Sequence, residues 1–269
     1  MKIYLMTDME GVAGILNHDD WVLPTGRFYD QGRRLLTEEV NAAIEGLLEG
    51  GAREIVVADG HGAGGIDPER LHPLAFLLRG WNPSGPYPFG LDDSFDGIGW
   101  VGQHAKAGTP YSHLSHTGWF DVRDQQVNGL SIGEFGALAL CAMELGVPCI
   151  LACGEAAFTR EAEALTPGIV TAAVKEGTLP DGLDHLSMEE YRTAKLGARH
   201  CSPVMARERI RTAARKAAQK RRRSPRDFAF PSLDPPYRLE IFLRARQGQP
   251  PITLRYTHPS SLVALFNLR

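Results

Sequence analysis

Residues 3–11 read Ile3-Tyr4-Leu5-Met6-Thr7-Asp8-Met9-Glu10-Gly11. The apolar residues at the start predict a buried strand, and two carboxylates arrive where that strand should end. Successive side chains on an extended backbone point to opposite faces, so Asp8 and Glu10 are expected to share one face. Two ionised carboxylates held so close repel each other and need a cation or a shared proton. The alternative is an ordinary acidic loop or helix start.

The segment after this strand predicts a βαβ unit. Apolar residues at helical spacing indicate a helix that opens at Thr37 and closes at Gly50 and Gly51. Residues 54–58 predict a second buried strand, which is followed by His61. A strand, a helix and a strand in this order favour a parallel sheet, whose ligands lie beyond the carboxyl ends of the strands.

Two further apolar segments repeat the pattern. Residues 97–102 predict a third strand, which is followed by Gln103 and His104. Residues 149–153 predict a fourth strand, and an apolar helix between these two strands opens at Glu134. Strands that end repeatedly in a potential ligand are the strongest functional signal in this sequence, because such ends meet at one edge of a parallel sheet.

The whole pattern predicts an α/β fold, with a parallel-sheet, three-layer domain over residues 1–160 and a smaller α+β domain over residues 161–269. The second part is predicted to contain strands at residues 169–175, 237–244 and 252–256, and helices at residues 187–200, 203–223 and 259–268. The helix at residues 203–223 is strongly basic but lacks interleaved aromatic residues, so we predict a solvated helix face and no nucleic-acid binding.

The composition excludes several classes of protein. The chain has 269 residues, 43% hydrophobic and 23% charged, and its net charge of −3 gives no general attraction to nucleic acid or membranes. The longest apolar stretch, residues 136–153, is interrupted by Glu144 and Pro148, so no membrane span is predicted. The N-terminus lacks a signal-peptide pattern and the four cysteines form no CxxC pair, so a cytoplasmic location is expected.

The residues expected at the sheet edge include three carboxylates and two imidazoles. They are Asp8, Glu10, His61, His104 and Glu134. This set suits Zn²⁺, with Mn²⁺ or Co²⁺ as alternatives. Five ligands exceed one tetrahedral site, so two metal ions about 3.5–4 Å apart are predicted, with Asp8 as the natural bridge. Such a site would hydrolyse an amide at neutral pH.

Other polar residues receive more ordinary interpretations. Asp59 is either a residue that orients the His61 imidazole or a turn residue before Gly60. The histidines elsewhere in the chain are predicted to be surface or capping residues. They are His18, His72, His185, His200 and His258.

Several short motifs together resemble those of the zinc-dependent D-aminopeptidase family. They are Asp8-Met9-Glu10-Gly11-Val12-Ala13-Gly14, Asp59-Gly60-His61, Gly90-Leu91-Asp92-Asp93-Ser94-Phe95, Gly102-Gln103-His104-Ala105, Thr109-Pro110, Ser115-His116-Thr117, Gly133-Glu134 and Thr171-Ala172-Ala173-Val174-Lys175. The resemblance covers about residues 1–176 in order. It implies a two-zinc peptidase whose five metal ligands match the residues above, and whose catalytic histidine matches His116. It further implies a short peptide substrate with D-Ala or Gly at its N-terminus, and a homo-oligomer, a decamer of stacked pentameric rings.

The chain departs from the family pattern at two places that bear on function. One extra residue lies between Tyr111 and Leu114, so His113 competes with His116 for the catalytic position, and we favour His116 because Ser-His is retained there. Gly154-Glu155 stands where many members have Gly-Asp-Asp. Whether His116 acts as a nucleophile or transfers protons stays open, with a preference for proton transfer. An amidase or cyclic-amide hydrolase and a non-catalytic peptide- or metal-binding protein are the alternative functions.

Overall fold

The structure is a computed structural model and describes residues 1–81 and 85–268. Its strands are β1 (Lys2–Thr7), β2 (Glu54–Asp59), β3 (Ala75–Leu78), β4 (Gly97–Gln103), β5 (Val122–Val127), β6 (Leu130–Ser131), β7 (Cys149–Glu155), β8 (Val170–Gly177), β9 (Ala198–His200), β10 (Tyr237–Leu243) and β11 (Thr253–His258). Its α-helices are α1 (His18–Trp21), α2 (Tyr29–Glu49), α3 (Glu134–Glu144), α4 (Ala156–Leu165), α5 (Met188–Ala194), α6 (Pro203–Arg223) and α7 (Leu262–Phe266).

A large, mostly parallel sheet forms the centre of the molecule, in the strand order β3-β2-β1-β4-β7-β8-β9. Only β9, at one edge of this sheet in the described part of the chain, runs antiparallel to its neighbour. Strand β1 lies between β2 and β4, and Thr7 is level with Asp59 and Val101. The three strands therefore end at the same height, as the predicted α/β fold requires.

Helices cover both faces of this sheet, which gives three layers. Along β1, Ile3 and Leu5 pack into a core with α2 and α6, whereas Tyr4 and Met6 pack into a second core with α3 and α7. This alternation follows from the two-residue period of a strand, and it explains why a strand covered on both faces reads as continuously apolar.

The basic helix α6 has the bounds predicted from the sequence. Its buried side consists of Ile210 and five alanines, and it packs against α2. The approach is close because a Cβ at Gly46 would lie 2.2 Å from the carbonyl oxygen of Arg211. The Arg211 side chain lies on the exposed side and pairs with Glu45 and Glu49 of α2. One face of this helix is therefore solvated, and the other is part of the core.

A smaller antiparallel sheet, in the order β11-β10-β5-β6, joins strands that are far apart in the chain. The predicted domain boundary after residue 160 falls inside α4, and both sheets contain strands from either side of it. Whether the two parts of the chain fold as separate units stays a prediction.

The helix predicted over residues 187–200 is wrong in its second half. Helix α5 ends at Ala194, and β9 then pairs with the free edge of β8. Lys195 turns inward instead of continuing the helix, and its Nζ donates a hydrogen bond 3.0 Å long to Ser112 Oγ. Tertiary hydrogen bonds thus override the local helical pattern. Every helix in residues 1–81 and 85–268 is too short or too polar to span a membrane.

Candidate metal centre

The carboxyl ends of β1, β2 and β4 bring three of the predicted ligands to one edge of the sheet. Asp8 directly follows β1, His61 lies two residues after β2, and His104 directly follows β4. Glu134 is the first residue of α3, and Glu10 lies in the loop after β1. The structure therefore brings together all five residues that the sequence predicted as metal ligands.

Asp8 lies between two histidines. Its Oδ1 is 3.1 Å from His61 Nδ1, and its Oδ2 is 3.2 Å from His104 Nε2. Glu10 Oε2 is 3.4 Å from the same nitrogen of His61, and Glu134 Oε2 is 3.4 Å from the same nitrogen of His104. Two groups of donors thus share one carboxylate, which is the arrangement expected for a bridging ligand.

Backbone carbonyls fix the orientation of both imidazoles. The Val22 carbonyl oxygen lies 3.1 Å from His61 Nε2, and the Ala105 carbonyl oxygen lies 2.8 Å from His104 Nδ1. A carbonyl can only accept a hydrogen bond, so we assign the proton of each neutral ring to the nitrogen that faces it. The other nitrogen of each ring then directs a lone pair at the carboxylates, as in metal-binding histidines.

The electrostatics of this cluster fit a cation. Within the part of the chain that the structure describes, His104 Nε2 and Glu10 Oε2 are buried without a hydrogen-bond partner. Burial would lower the pKa of His104, but Glu134 and Asp8 outweigh it and raise that pKa well above its usual value. Burial would likewise raise the pKa of Asp8, but the adjacent imidazoles of His104 and His61 hold it well below its usual value. Positive charge at this position therefore stabilises the buried carboxylates, and a metal ion can supply it.

Gln103 is a member of the site that the sequence interpretation did not include. Its Nε2 donates hydrogen bonds to Asp8 Oδ2 at 3.1 Å and to Glu134 Oε2 at 3.0 Å. The register between β4 and β7 shifts near Gly102, whose φ of +79° favours glycine. This irregularity lets the consecutive residues Gln103 and His104 both reach the cluster. The glycine directly before these two polar residues is the sequence feature that could have indicated the irregularity.

The structure separates the two histidines that competed for the catalytic position. The His116 ring stacks on His104, with 4.1 Å between ring centroids, and its Nε2 is 3.8 Å from Glu134 Oε1. His113 is buried elsewhere, where its ring packs edge-on against His200. Burial lowers the pKa of His113 to about 2. Only His116 of this pair lines the cavity beside the cluster.

This cavity has a volume of about 380 Å³. Polar residues of the cluster line it together with the apolar residues Val22, Leu23, Phe89, Trp100 and Leu138. His18 also lines it and is 4% exposed, so the prediction that His18 is a surface or capping residue is wrong. The reason is that α1 folds inward over the cluster, which the local sequence does not show.

Three acidic and basic residues support the site without lining the cavity. Asp59 accepts hydrogen bonds from the backbone N–H groups of Gly65 and Ile66, so it stabilises the turn after β2 and does not orient His61. Glu155 is buried and accepts a hydrogen bond from Ala105 N at 3.1 Å, next to His104. Lys175 Nζ donates a hydrogen bond to the carbonyl oxygen of Glu10. The contribution of Lys175 was not predicted, whereas Glu155 lies at one of the two departures from the family pattern noted in the sequence.

A parallel α/β sheet that carries carboxylates and imidazoles at its edge, beside a largely apolar cavity, is typical of metal-dependent hydrolases. The chain belongs to the D-aminopeptidase family of peptidases, whose sequence model matches residues 1–249.

Two relatives illustrate this membership. A D-aminopeptidase from Bacillus subtilis (strain 168) is 38% identical over 178 residues, which are 65% of this chain and 64% of that protein. The matched segment thus spans less than two thirds of that relative. A solved structure, described as the Zn-dependent D-aminopeptidase DppA from Bacillus subtilis, a self-compartmentalizing protease, superposes with a TM-score of 0.80. That match has 27% identity and covers 99% of this chain and 94% of the other.

Proposed function

We propose that this chain is a zinc-dependent aminopeptidase that releases N-terminal residues, D-Ala or Gly in particular, from short peptides. The observation that carries the proposal is the convergence of the four other predicted metal ligands around Asp8, next to a cavity that takes a small substrate. The names of the two relatives, a D-aminopeptidase and a Zn-dependent D-aminopeptidase, support zinc and a peptide substrate.

Two zinc ions account for the donors better than one. His61 with Glu10, and His104 with Glu134, form two groups that share Asp8. One tetrahedral ion would leave part of this set buried and uncompensated. When bound, such ions polarise the peptide carbonyl and activate a water molecule for its hydrolysis.

We propose that His116 moves a proton. The Leu114 carbonyl oxygen, 2.9 Å away, holds the N–H on His116 Nδ1, which leaves Nε2 as the basic nitrogen on the side of Glu134. A base at this position can accept a proton and pass it to the departing amine. The stacked ring of His104 and the tilted ring of Phe120, with centroids 4.1 and 4.7 Å away, hold the imidazole in place.

We also propose that the chain forms a homo-oligomer, since the solved relative is described as self-compartmentalizing. The decamer of stacked pentameric rings and the cytoplasmic location stay predictions.

Metal analysis tests the proposal directly. The purified protein is expected to contain about two zinc ions per chain and to hydrolyse D-Ala or Gly peptides, and chelation should abolish hydrolysis until zinc is restored. Elemental analysis and a peptide-release assay measure both quantities. Absence of hydrolysis from the zinc-loaded protein would favour a binding protein, and cleavage of cyclic amides alone would favour an amidase.

The variant His116→Ala tests the role of the histidine. We expect kcat to fall by about 10²- to 10⁴-fold, which is the usual contribution of a general acid or base. Zinc content and KM should change little if His116 acts only in proton transfer. His185→Ala is the matched control, because His185 is exposed and lies outside the cavity lining. Loss of zinc from His116→Ala would instead identify His116 as a ligand, which its position near His104 and Glu134 would allow.

A further inference from the structure

The cavity is lined by a histidine that the proposed chemistry leaves unused. His18 opens the short helix α1, which Asn17 caps by accepting a hydrogen bond from Asp20 N at 2.8 Å. The His18 side chain lines the same cavity as Glu10 and His116, because the chain after β1 runs past the cavity.

Aromatic rings hold the imidazole of His18 in one orientation. Trp119 lies edge-on to it with 5.3 Å between centroids, and Phe120 lies edge-on at 5.0 Å. The His116 ring also lies against Phe120, with 4.7 Å between the ring centroids. His18 and His116 therefore contact the same phenyl ring, which keeps both at the cavity.

The hydrogen bonds of His18 determine which of its nitrogens is available. Its Nδ1 lies 3.4 Å from Asp19 Oδ1, and Arg192 of α5 binds the same carboxylate oxygen. A carboxylate accepts hydrogen bonds, so the proton of a neutral ring belongs on Nδ1. Within residues 1–81 and 85–268, His18 Nε2 has no hydrogen-bond partner and is not among the fully buried polar atoms. Nε2 is therefore an acceptor that a ligand in the cavity can reach.

We infer that His18 Nε2 accepts a hydrogen bond from the α-amino group of the bound peptide. An aminopeptidase must recognise this cationic group, and the other imidazoles that line the cavity in the described residues are His61, in the metal cluster, and His116. Burial lowers the pKa of His18, which keeps its ring neutral and able to accept. The inference rests on the proposed aminopeptidase function.

The test compares two ligands that differ only in the amino group. Calorimetry measures the binding of D-Ala-D-Ala and of propionyl-D-Ala, which lacks the amino group. Both ligands are titrated into the zinc-loaded His116→Ala protein and into the same protein with an additional substitution of His18. His18→Phe keeps an aromatic ring without an acceptor and should weaken D-Ala-D-Ala binding about 10- to 100-fold, as expected for a lost hydrogen bond to a charged group. Binding of propionyl-D-Ala should change less than about threefold, since it makes no such bond.

Further variants make the result specific. His18→Gln places an amide oxygen within reach and should recover part of the affinity, whereas the shorter His18→Asn should behave like His18→Phe. His185→Asn is the exposed control and should change neither ligand. Equal weakening of both ligands, or no weakening of either, overturns the inference. The wild-type protein is assayed for hydrolysis of D-Ala-D-Ala in parallel. If it hydrolyses this peptide, a negative binding result contradicts the role of His18 and leaves the proposed function standing.

Discussion

The double variant His61→Ala/His104→Ala is expected to lose zinc binding and peptide hydrolysis completely. Each histidine supplies one nitrogen to one of the two donor groups that share Asp8. Without these nitrogens, only carboxylates remain among the five predicted ligands, and oxygen ligands alone suit magnesium or calcium better than zinc. Elemental analysis of the dialysed protein and a peptide-release assay with added zinc measure the two losses.

The single variants and a control complete this experiment. His61→Ala and His104→Ala alone are each expected to lose one of the two ions, because each leaves the other donor group intact. His185→Ala should retain zinc and activity, since His185 is exposed and lies away from the cluster. Full zinc occupancy in the double variant would show that these histidines are not ligands, and the proposed function would fail with them.

Replacing Lys175 by methionine is expected to lower the free energy of unfolding by about 3 kcal/mol, because a buried charge that compensates other buried groups is removed. Lys175 is 3% exposed, and its ammonium group donates to the Glu10 carbonyl oxygen. Burial lowers its pKa to about 8, although Glu155 and Glu39 act to raise it. The ammonium form therefore predominates at pH 7, and methionine would leave the Glu10 carbonyl without this donor.

Urea denaturation of the metal-free protein at pH 7 measures this loss without a contribution from zinc binding. Lys216→Met is the matched control, because Lys216 is exposed on α6 and should change stability by less than about 0.5 kcal/mol. We also expect the zinc-loaded Lys175→Met protein to release zinc faster, since Glu10 loses a support for its backbone. Equal stability of the two variants would show that Lys175 contributes nothing beyond an ordinary surface lysine.

Parts of the site were predictable because they depend on the strands alone. Asp8, His61 and His104 each follow an apolar run, and parallel strands end together, so their convergence needs no knowledge of the loops. Glu134 was predictable for a related reason, as the first residue of a strongly apolar helix.

Strand β5 shows where the local pattern was too weak. Its residues 122–127 are mostly polar, and it is a strand because β10, more than a hundred positions further on, pairs with it. Likewise, β9 exists because β8 offers a free edge. Pairing between distant segments determines whether such segments form strands, so their own composition does not predict them.

The sequence by itself determined the α/β class, the central strands and the carboxylate and imidazole groups at their ends, because short-range periodicity specifies which segments are buried strands. Only the tertiary structure decided the places of His18, Gln103 and Lys175. His18 depends on the path of a loop, Gln103 on an irregularity in β4, and Lys175 on acidic neighbours from distant parts of the chain. A buried polar side chain is stable only where such partners surround it, and their positions are set by packing over long sequence distances.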